Sequence, residues 1–119
     1  MTNEVNIDKD QMIRLHDIGG STLVLKMIGL FFENIPTRIQ EIKSGEEKQD
    51  WDAVFRAVHS LKSSAGNFGA HNLFGLCGQI ETLIREEKIS NISPVLRELE
   101  ESLDLVRNDL SIEQERLNK

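Results

Sequence analysis

The chain has 119 residues, enough for one domain with its own core, and its 39% hydrophobic and 29% charged residues are typical of a folded protein rather than a disordered one. Its formal net charge of −6 argues against a general nucleic-acid binder, which needs a basic surface. No secretory leader is apparent in residues 1–10, no apolar run approaches the ~20 residues of a membrane span, and the single Cys77 cannot form an internal disulfide, so we expect a cytoplasmic protein without membrane insertion or a nucleic-acid partner.

The hydrophobic pattern is helical along nearly the whole chain, and the low content of glycine and proline suits long helices. A short first helix is expected to end at Gly19-Gly20. A longer helix follows and is expected to close at Ser44-Gly45. Pro36 lies inside its apolar stripe, so the pattern predicts a kink or a break near Asn34.

Three more amphipathic segments complete the chain. Asp50 is a suitable N-cap for the first of them, and a loop is expected over residues 66–69. Residues 73–84 carry a clean apolar stripe that predicts the next helix. The last helix is expected to begin behind Ser93, with Pro94 in its first turn. Residues 1–6 and 112–119 are expected to be frayed ends.

These elements predict an all-α fold, because no alternating strand pattern competes with them. Short links between long amphipathic helices favour antiparallel neighbours. We therefore expect an up-down-up-down four-helix bundle with a short additional N-terminal helix, in a single domain spanning residues 1–119 and present as a monomer.

One histidine stands out on the helix that Asp50 is expected to cap. His59 is rotated about 100° from the apolar Val58, because a helix turns once in ~3.6 residues, so its ring is expected to face solvent. Lys62 follows one turn later, and the side chains after it are small, which leaves room for a partner. A neutral imidazole, an adjacent cation and an open surface together indicate a phosphoryl acceptor.

These residues resemble the motif of histidine-containing phosphotransfer (HPt) domains, His-x-Leu-Lys-Gly-[Ser/Ala]-x-x-x-x-Gly. Here the segment reads His59-Ser60-Leu61-Lys62-Ser63-Ser64-Ala65-Gly66-Asn67-Phe68-Gly69. Residues 31–42 are similar to the helix that precedes the motif in the family, and residues 73–81 are similar to the helix that follows. The family most often has glycine where this chain has Ser63, and we interpret the serine as a tolerated small variant.

The resemblance implies a role for each matching position. His59 would carry the phosphoryl group on Nε2, Lys62 would hold that group electrostatically, and Glu81 would orient the imidazole through Nδ1–H. Gly69 would permit the turn into the next helix. The partner docking surface is expected to comprise Phe55, Arg56, Ser63, Gly66 and Gly69.

The same resemblance implies the partners. A receiver domain of a hybrid sensor histidine kinase would donate the phosphoryl group, and the receiver domain of a response regulator would accept it. No cofactor or metal is expected on this chain, and Mg²⁺ is expected on the receiver. The segment from Lys48 to Asn72 holds three cations and two carboxylates, so a near-neutral surface would face the acidic pocket of a receiver. The apolar side chains of Ile13, Ile18 and Leu23 are further candidates for docking.

Two other functions stay open at this point. The bundle could be an interaction module whose histidine is never phosphorylated, or a phosphoacceptor fed directly by a chemotaxis-type kinase. No glycine-rich phosphate loop is present, so we expect neither ATP binding nor autonomous kinase activity. His16 and His71 are interpreted as structural or exposed residues, because the spacing of the three histidines is not that of a zinc site. Cys77 is interpreted as a core residue.

Overall fold

Four α-helices form the part of the chain that the computed structural model describes, residues 6–119. They are α1 (Lys9–Lys48), α2 (Trp51–Phe68), α3 (His71–Arg85) and α4 (Ile92–Leu117), and a short 3₁₀ turn at Ile89–Asn91 precedes α4. Each helix packs against the next, and α4 also packs against α1. No strand occurs between residues 6 and 119, so the predicted all-α class is confirmed.

A single hydrophobic core joins the four helices. The predicted apolar stripes supply it, and removing each large aliphatic side chain from water contributes about 1.5–3 kcal/mol. The largest fully buried side chains are those of Ile28, Ile35, Ile42, Leu61, Phe68, Leu73, Ile80, Ile92, Leu96, Leu99, Leu103 and Leu110. Because every helix contributes to this list, the core fixes the helices against one another.

Helix α1 is interrupted at Gly20, where the first helix was predicted to end, and its backbone is not interrupted at Pro36. The backbone around Pro36 is helical, and the non-helical residue within α1 is Gly20, with φ 69° and ψ −170°. The break expected near Asn34 is therefore wrong, while the alternative of a kink there stays a prediction. Ile35 and Ile42 are both buried on the core, so packing on either side of Pro36 holds the helix together despite the missing backbone hydrogen bond.

Gly45 does not end a helix, contrary to the prediction. Helix α1 continues to Lys48, and Gln49 adopts a left-handed conformation whose N–H reaches the carbonyls of Gly45 and Glu46. Gly45 is buried where α1 meets α2, and a Cβ there would lie 2.6 Å from Cγ2 of Val54 and 3.0 Å from the carbonyl oxygen of Asp50. This glycine is thus required for the close approach of two helices.

The remaining helix ends differ from prediction by a few residues. Asp50 caps α2 as predicted, since its side chain accepts a hydrogen bond from the backbone N–H of Ala53 at 3.1 Å. Helix α2 runs through Gly66 and ends at Phe68, and Gly69, with φ 64°, is its C-cap. Helix α4 begins at Ile92 and so includes the residue predicted to cap it.

Only part of the predicted frayed ends can be compared with the structure. Helix α4 is helical as far as Leu117, which includes most of residues 112–119. At the other end, residues 1–5 lie outside the described residues, and Asn6 donates its backbone N–H to Asp109 at 3.0 Å. Fraying therefore stays a prediction.

Helix α1 is also long and apolar enough, by length and composition alone, to cross a membrane. Helices that belong to a protein core pass the same test. Ile28, Phe31 and Ile35 of α1 are buried against the other helices, although only 22% of the apolar window is buried.

The contact at Gly45 yields a stability prediction. We expect Gly45→Ala to lower the free energy of unfolding by about 1–3 kcal/mol, because the added methyl group overpacks the contact with Val54. Gly29→Ala is the matched control, since nothing lies within 4 Å of a Cβ there, and it should stabilise α1 by about 0.5–1 kcal/mol. Urea unfolding measures both. Equal stability of the Gly45→Ala variant and wild type would contradict the packing role.

Candidate functional site

His59 occupies the exposed side of α2, as the helical pattern predicts. Its neighbour Val58 is fully buried, whereas 63% of the His59 side chain is accessible to solvent. The opposite orientation of the two side chains follows from the ~100° turn between successive helical residues. The imidazole is therefore anchored on a rigid, buried helix while most of its ring remains open to a reactant.

Glu81 of α3 lies beneath the imidazole and is one of the few buried polar residues, with 3% of its surface exposed. Its Oε2 accepts a hydrogen bond from Nδ1 of His59 at 2.6 Å. A carboxylate can only accept, so this contact places the proton of the neutral ring on Nδ1. The lone pair of the ring is then on Nε2, which is the nitrogen available for nucleophilic attack.

Lys62 binds the other oxygen of the same carboxylate. Its Nζ donates to Oε1 of Glu81 at 2.8 Å, and it also lies 5.2 Å from the centre of the Phe74 ring. Burial of Glu81 opposes its ionisation, but the hydrogen bonds from Lys62 and His59 outweigh burial, so the pKa of the Glu81 carboxyl lies below its usual value. The site thus contains a fixed carboxylate between a cation and the imidazole.

Two further residues, one on each helix, complete the surroundings of the imidazole. The ring of Phe55, one turn before His59, is nearly parallel to the imidazole, with 5° between the planes and 6.2 Å between the centroids. The guanidinium of Arg85 lies 5.7 Å from the centre of the Phe55 ring. Phe55 was predicted to belong to the docking surface, and Arg85 was not predicted as a site residue. Phe55 precedes His59 by four residues, and Arg85 follows Glu81 by four. Side chains four residues apart on a helix are neighbours, so this spacing could have identified both.

The residues of the predicted docking surface differ in their exposure. Arg56, Ser63 and Gly66 are exposed on α2. The hydroxyl of Ser63 donates to the backbone carbonyl of His59 at 3.3 Å, which directs it along its own helix. Gly69, in contrast, is buried, and a Cβ there would collide with Asp8. Its assignment to the docking surface is therefore wrong, because the chain just before α1 covers it.

Of the apolar docking candidates on α1, Ile13 lies in a groove separate from this site. Ile13 and Ile18 are exposed at 57% and 76%. Ile13 lines a groove between the first part of α1 and the end of α4, whereas His59 lies where α2 meets α3. None of the residues that line this groove belongs to the cluster around His59. Docking by these side chains thus stays a prediction without a geometric link to the histidine.

The other titratable candidates have local partners. Nε2 of His16 lies 3.1 Å from the hydroxyl of Ser21, and Nε2 of His71 lies 3.1 Å from Asp8. The hydrogen bond with His71 is the main reason that the pKa of Asp8 is lowered. Burial raises the pKa of the Cys77 thiol to about 12, with a further contribution from the charge of Glu81. Among residues 6–119, no three His, Cys, Asp or Glu side chains cluster as metal ligands would.

Comparison with known proteins gives concordant matches. The family model described as "Hpt domain" matches residues 26–109. The sensor protein TorS of Escherichia coli is 28% identical over 81 residues, which cover 68% of this chain and 9% of that protein. The chemotaxis protein CheA of Rhizobium meliloti is 30% identical over 88 residues, which cover 65% of this chain and 12% of that protein. The chain thus spans about a tenth of the length of these two relatives.

A solved structure shares the fold. The crystal structure of histidine-containing phosphotransfer protein B (HptB) from Pseudomonas aeruginosa superimposes with a TM-score of 0.86, over 93% of this chain and 96% of that one. The sequences are 20% identical, so this likeness concerns the arrangement of the helices.

The shared carboxylate predicts a pH-dependent stability. Because the pKa of Glu81 is lowered in the folded protein, its contribution is complete above the ordinary value of 4.5 and is lost as the pH falls through the folded pKa. We expect Glu81→Gln to lower the free energy of unfolding by about 1–3 kcal/mol at pH 7, since Lys62 and His59 lose their ionised acceptor. The difference from wild type should shrink when urea unfolding is repeated at acid pH. Glu33→Gln, at an exposed position of α1, is the control, and a Glu81→Gln effect that does not depend on pH would contradict the assignment.

Proposed function

The chain belongs to the family of Hpt domains, the histidine phosphotransfer domains of phosphorelays, and from this premise we propose that His59 is the residue that carries the phosphoryl group. The observation that carries the proposal is the 2.6 Å hydrogen bond between Nδ1 of His59 and Glu81, which leaves Nε2 as the exposed nucleophilic nitrogen. His16 and His71 have no comparable pairing with a buried carboxylate.

The transfer step assigns a distinct role to Glu81. The lone pair of Nε2 attacks the phosphorus of an aspartyl phosphate, an N–P bond forms, and the P–O bond breaks with its electron pair leaving on the aspartate carboxylate. The proton on Nδ1 stays in place, so the ring gains positive charge during the attack. Glu81 lies 2.6 Å from that nitrogen and stabilises the developing charge.

Lys62 acts on two groups in this proposal. Its ammonium is bound to Oε1 of Glu81 and keeps the carboxylate ionised and in position. An ammonium has three donors, and 28% of the Lys62 side chain is exposed, so it can also interact with the oxygens of a phosphoryl group on the neighbouring imidazole. The chain provides the nucleophile, its orientation and a nearby positive charge.

The proposed partners are receiver domains. One, in a hybrid sensor kinase, would donate the phosphoryl group, and the aspartate of a response regulator would accept it as Nε2 leaves with the N–P electron pair. The receiver would supply the aspartate and Mg²⁺, while this chain binds no cofactor and no ATP. Exposure of Arg56, Ser63 and Gly66 next to His59 supports close approach of such a partner.

A second donor is supported by one comparison. The similarity to a chemotaxis protein favours the alternative that a histidine kinase phosphorylates His59 directly. The same in-line attack by Nε2 then occurs on the γ-phosphorus of ATP bound to the kinase, with ADP as the leaving group. The two donors require the same acceptor nitrogen, so they differ only in the protein that docks on α2.

The proposal also includes the finer arrangement of the molecule. The four helices alternate in direction, up-down-up-down, and the part of α1 before Gly20 serves as the additional N-terminal helix. The domain acts as a monomer in the cytoplasm, where receiver domains and response regulators are available. The closed core shared by α1 and α4 supports a self-contained unit.

Transfer of labelled phosphate tests the acceptor. Wild type and His59→Gln are each mixed with a panel of ³²P-labelled receivers and, separately, with a histidine kinase core and labelled ATP. We expect label on wild type and none on His59→Gln, because only the imidazole provides the nucleophile. His16→Gln removes another exposed histidine and should be labelled like wild type. Equal labelling of wild type and His59→Gln would exclude His59, and labelling from the kinase alone would favour the chemotaxis-type donor.

Removal of the neighbouring cation tests the role of Lys62. We expect Lys62→Ala to slow phosphotransfer about tenfold, because a charged donor near the developing phosphoryl charge is lost at a partly screened site. The rate is measured by quenched-flow labelling, and circular dichroism checks that the helices persist. Lys43→Ala removes an exposed lysine of α1 as the control. Transfer at the wild-type rate would show that Lys62 has only a structural role.

A further inference from the structure

The imidazole of His59 needs a second restraint besides its hydrogen bond. Glu81 fixes the position of Nδ1, but one hydrogen bond leaves the plane of the ring free to tilt about that contact. The side chain is 63% exposed, so packing by the core does not restrict it. In-line attack requires that the lone pair of Nε2, which lies in the ring plane, points at the phosphorus atom.

Phe55 supplies such a restraint. It precedes His59 by four residues, so the two side chains lie on the same face of α2. Their rings are 5° from parallel with centroids 6.2 Å apart, which is within the range of offset aromatic pairs. A ring held parallel to the imidazole opposes the tilt that the hydrogen bond to Glu81 permits.

The position of Phe55 is itself constrained from α3. The guanidinium of Arg85 lies 5.7 Å from the centre of the Phe55 ring, within the distance of a cation–π interaction. Arg85 follows Glu81 by four residues, so both project from the same side of α3. Helix α3 thus contacts the imidazole directly through Glu81 and indirectly through Arg85 and Phe55.

We propose that Phe55 is a positioning residue, whose ring holds the plane of the His59 imidazole so that Nδ1 stays on Glu81 while Nε2 faces the phosphoryl donor. The inference rests on the proposed function, because it assumes that Nε2 is the reacting atom. It assigns Phe55 a role in orienting His59, in place of the predicted role in binding the partner. Phe55 is half-buried and touches no reacting atom in this role.

The experiment separates positioning from docking by omitting the partner. Phosphoramidate, a small phosphoryl donor, is reacted with wild type, Phe55→Leu and Phe55→Tyr, and the label on His59 is followed over time. Leucine keeps an apolar side chain but has no ring face, whereas tyrosine keeps the ring. ¹⁵N NMR of the His59 imidazole in the unphosphorylated proteins reports the tautomer. Leu105→Ala, at an exposed apolar position on α4, is the control.

We expect Phe55→Leu to react about three- to tenfold more slowly than wild type, as loss of one aromatic pair predicts, and to show a smaller population of the Nδ1–H tautomer. Phe55→Tyr should restore both the rate and the tautomer, and Leu105→Ala should change neither. A Phe55→Leu variant with the wild-type rate and wild-type imidazole shifts would overturn the proposal. A variant with a normal tautomer and a normal phosphoramidate rate that is slow only with receivers would also overturn it, by assigning Phe55 to docking.

Failure of the proposed function gives a different result. If wild-type His59 itself takes no label from any donor, the assignment of the phosphoacceptor fails for every variant alike. The ¹⁵N spectra still test the effect of Phe55 on the ring in that case, because they are recorded before any phosphoryl transfer.

Discussion

The site depends on one buried carboxylate that two side chains of another helix share. Glu81 is 3% exposed, and an ionised carboxyl at such a position is costly unless both oxygens are paired. Lys62 binds one oxygen at 2.8 Å, and His59 binds the other at 2.6 Å. Because both partners come from α2 and the carboxylate from α3, this arrangement also fixes the register between the two helices. A shift of either helix by one residue would leave a charge buried without a partner.

The electrostatic balance of this cluster suits the proposed acceptance and release of a phosphoryl group. The ammonium of Lys62 balances the negative charge of Glu81. The unphosphorylated imidazole therefore lies beside a paired carboxylate and not beside an isolated anion. In the proposed loaded form, Glu81 would face the positively charged ring and Lys62 would lie on the side of the phosphoryl oxygens. The proposed roles thus require no large movement of either helix, which suits a carrier that has to release its group as readily as it accepts it.

The sequence sufficed for the helical class and for the orientation of His59, because both follow from the spacing of apolar residues within a single segment. Placing Glu81 beneath the ring needed the family resemblance, since periodicity does not reveal which residues of α3 face α2. The helix end at Gly45 and the break near Pro36 were predicted wrongly, because local propensity was used where tertiary packing decides. Val54 needs a glycine opposite it, and buried Ile35 and Ile42 keep the helix intact around the proline. Phe55 was recognised as a neighbour of His59, but the parallel geometry of the two rings depends on side-chain rotamers that spacing does not determine.

Ser63 departs from the family pattern, which most often has glycine at this position. A glycine at this position would leave the surface beside His59 clear, and a serine adds a Cβ and a hydroxyl. The hydroxyl donates to the backbone carbonyl of His59 at 3.3 Å, so its proton is already used within α2 and the side chain follows the helix surface. This geometry favours a tolerated variant over a new contact to the phosphoryl group. Donation to that group would first require the Ser63 hydroxyl to break its hydrogen bond to the carbonyl of His59.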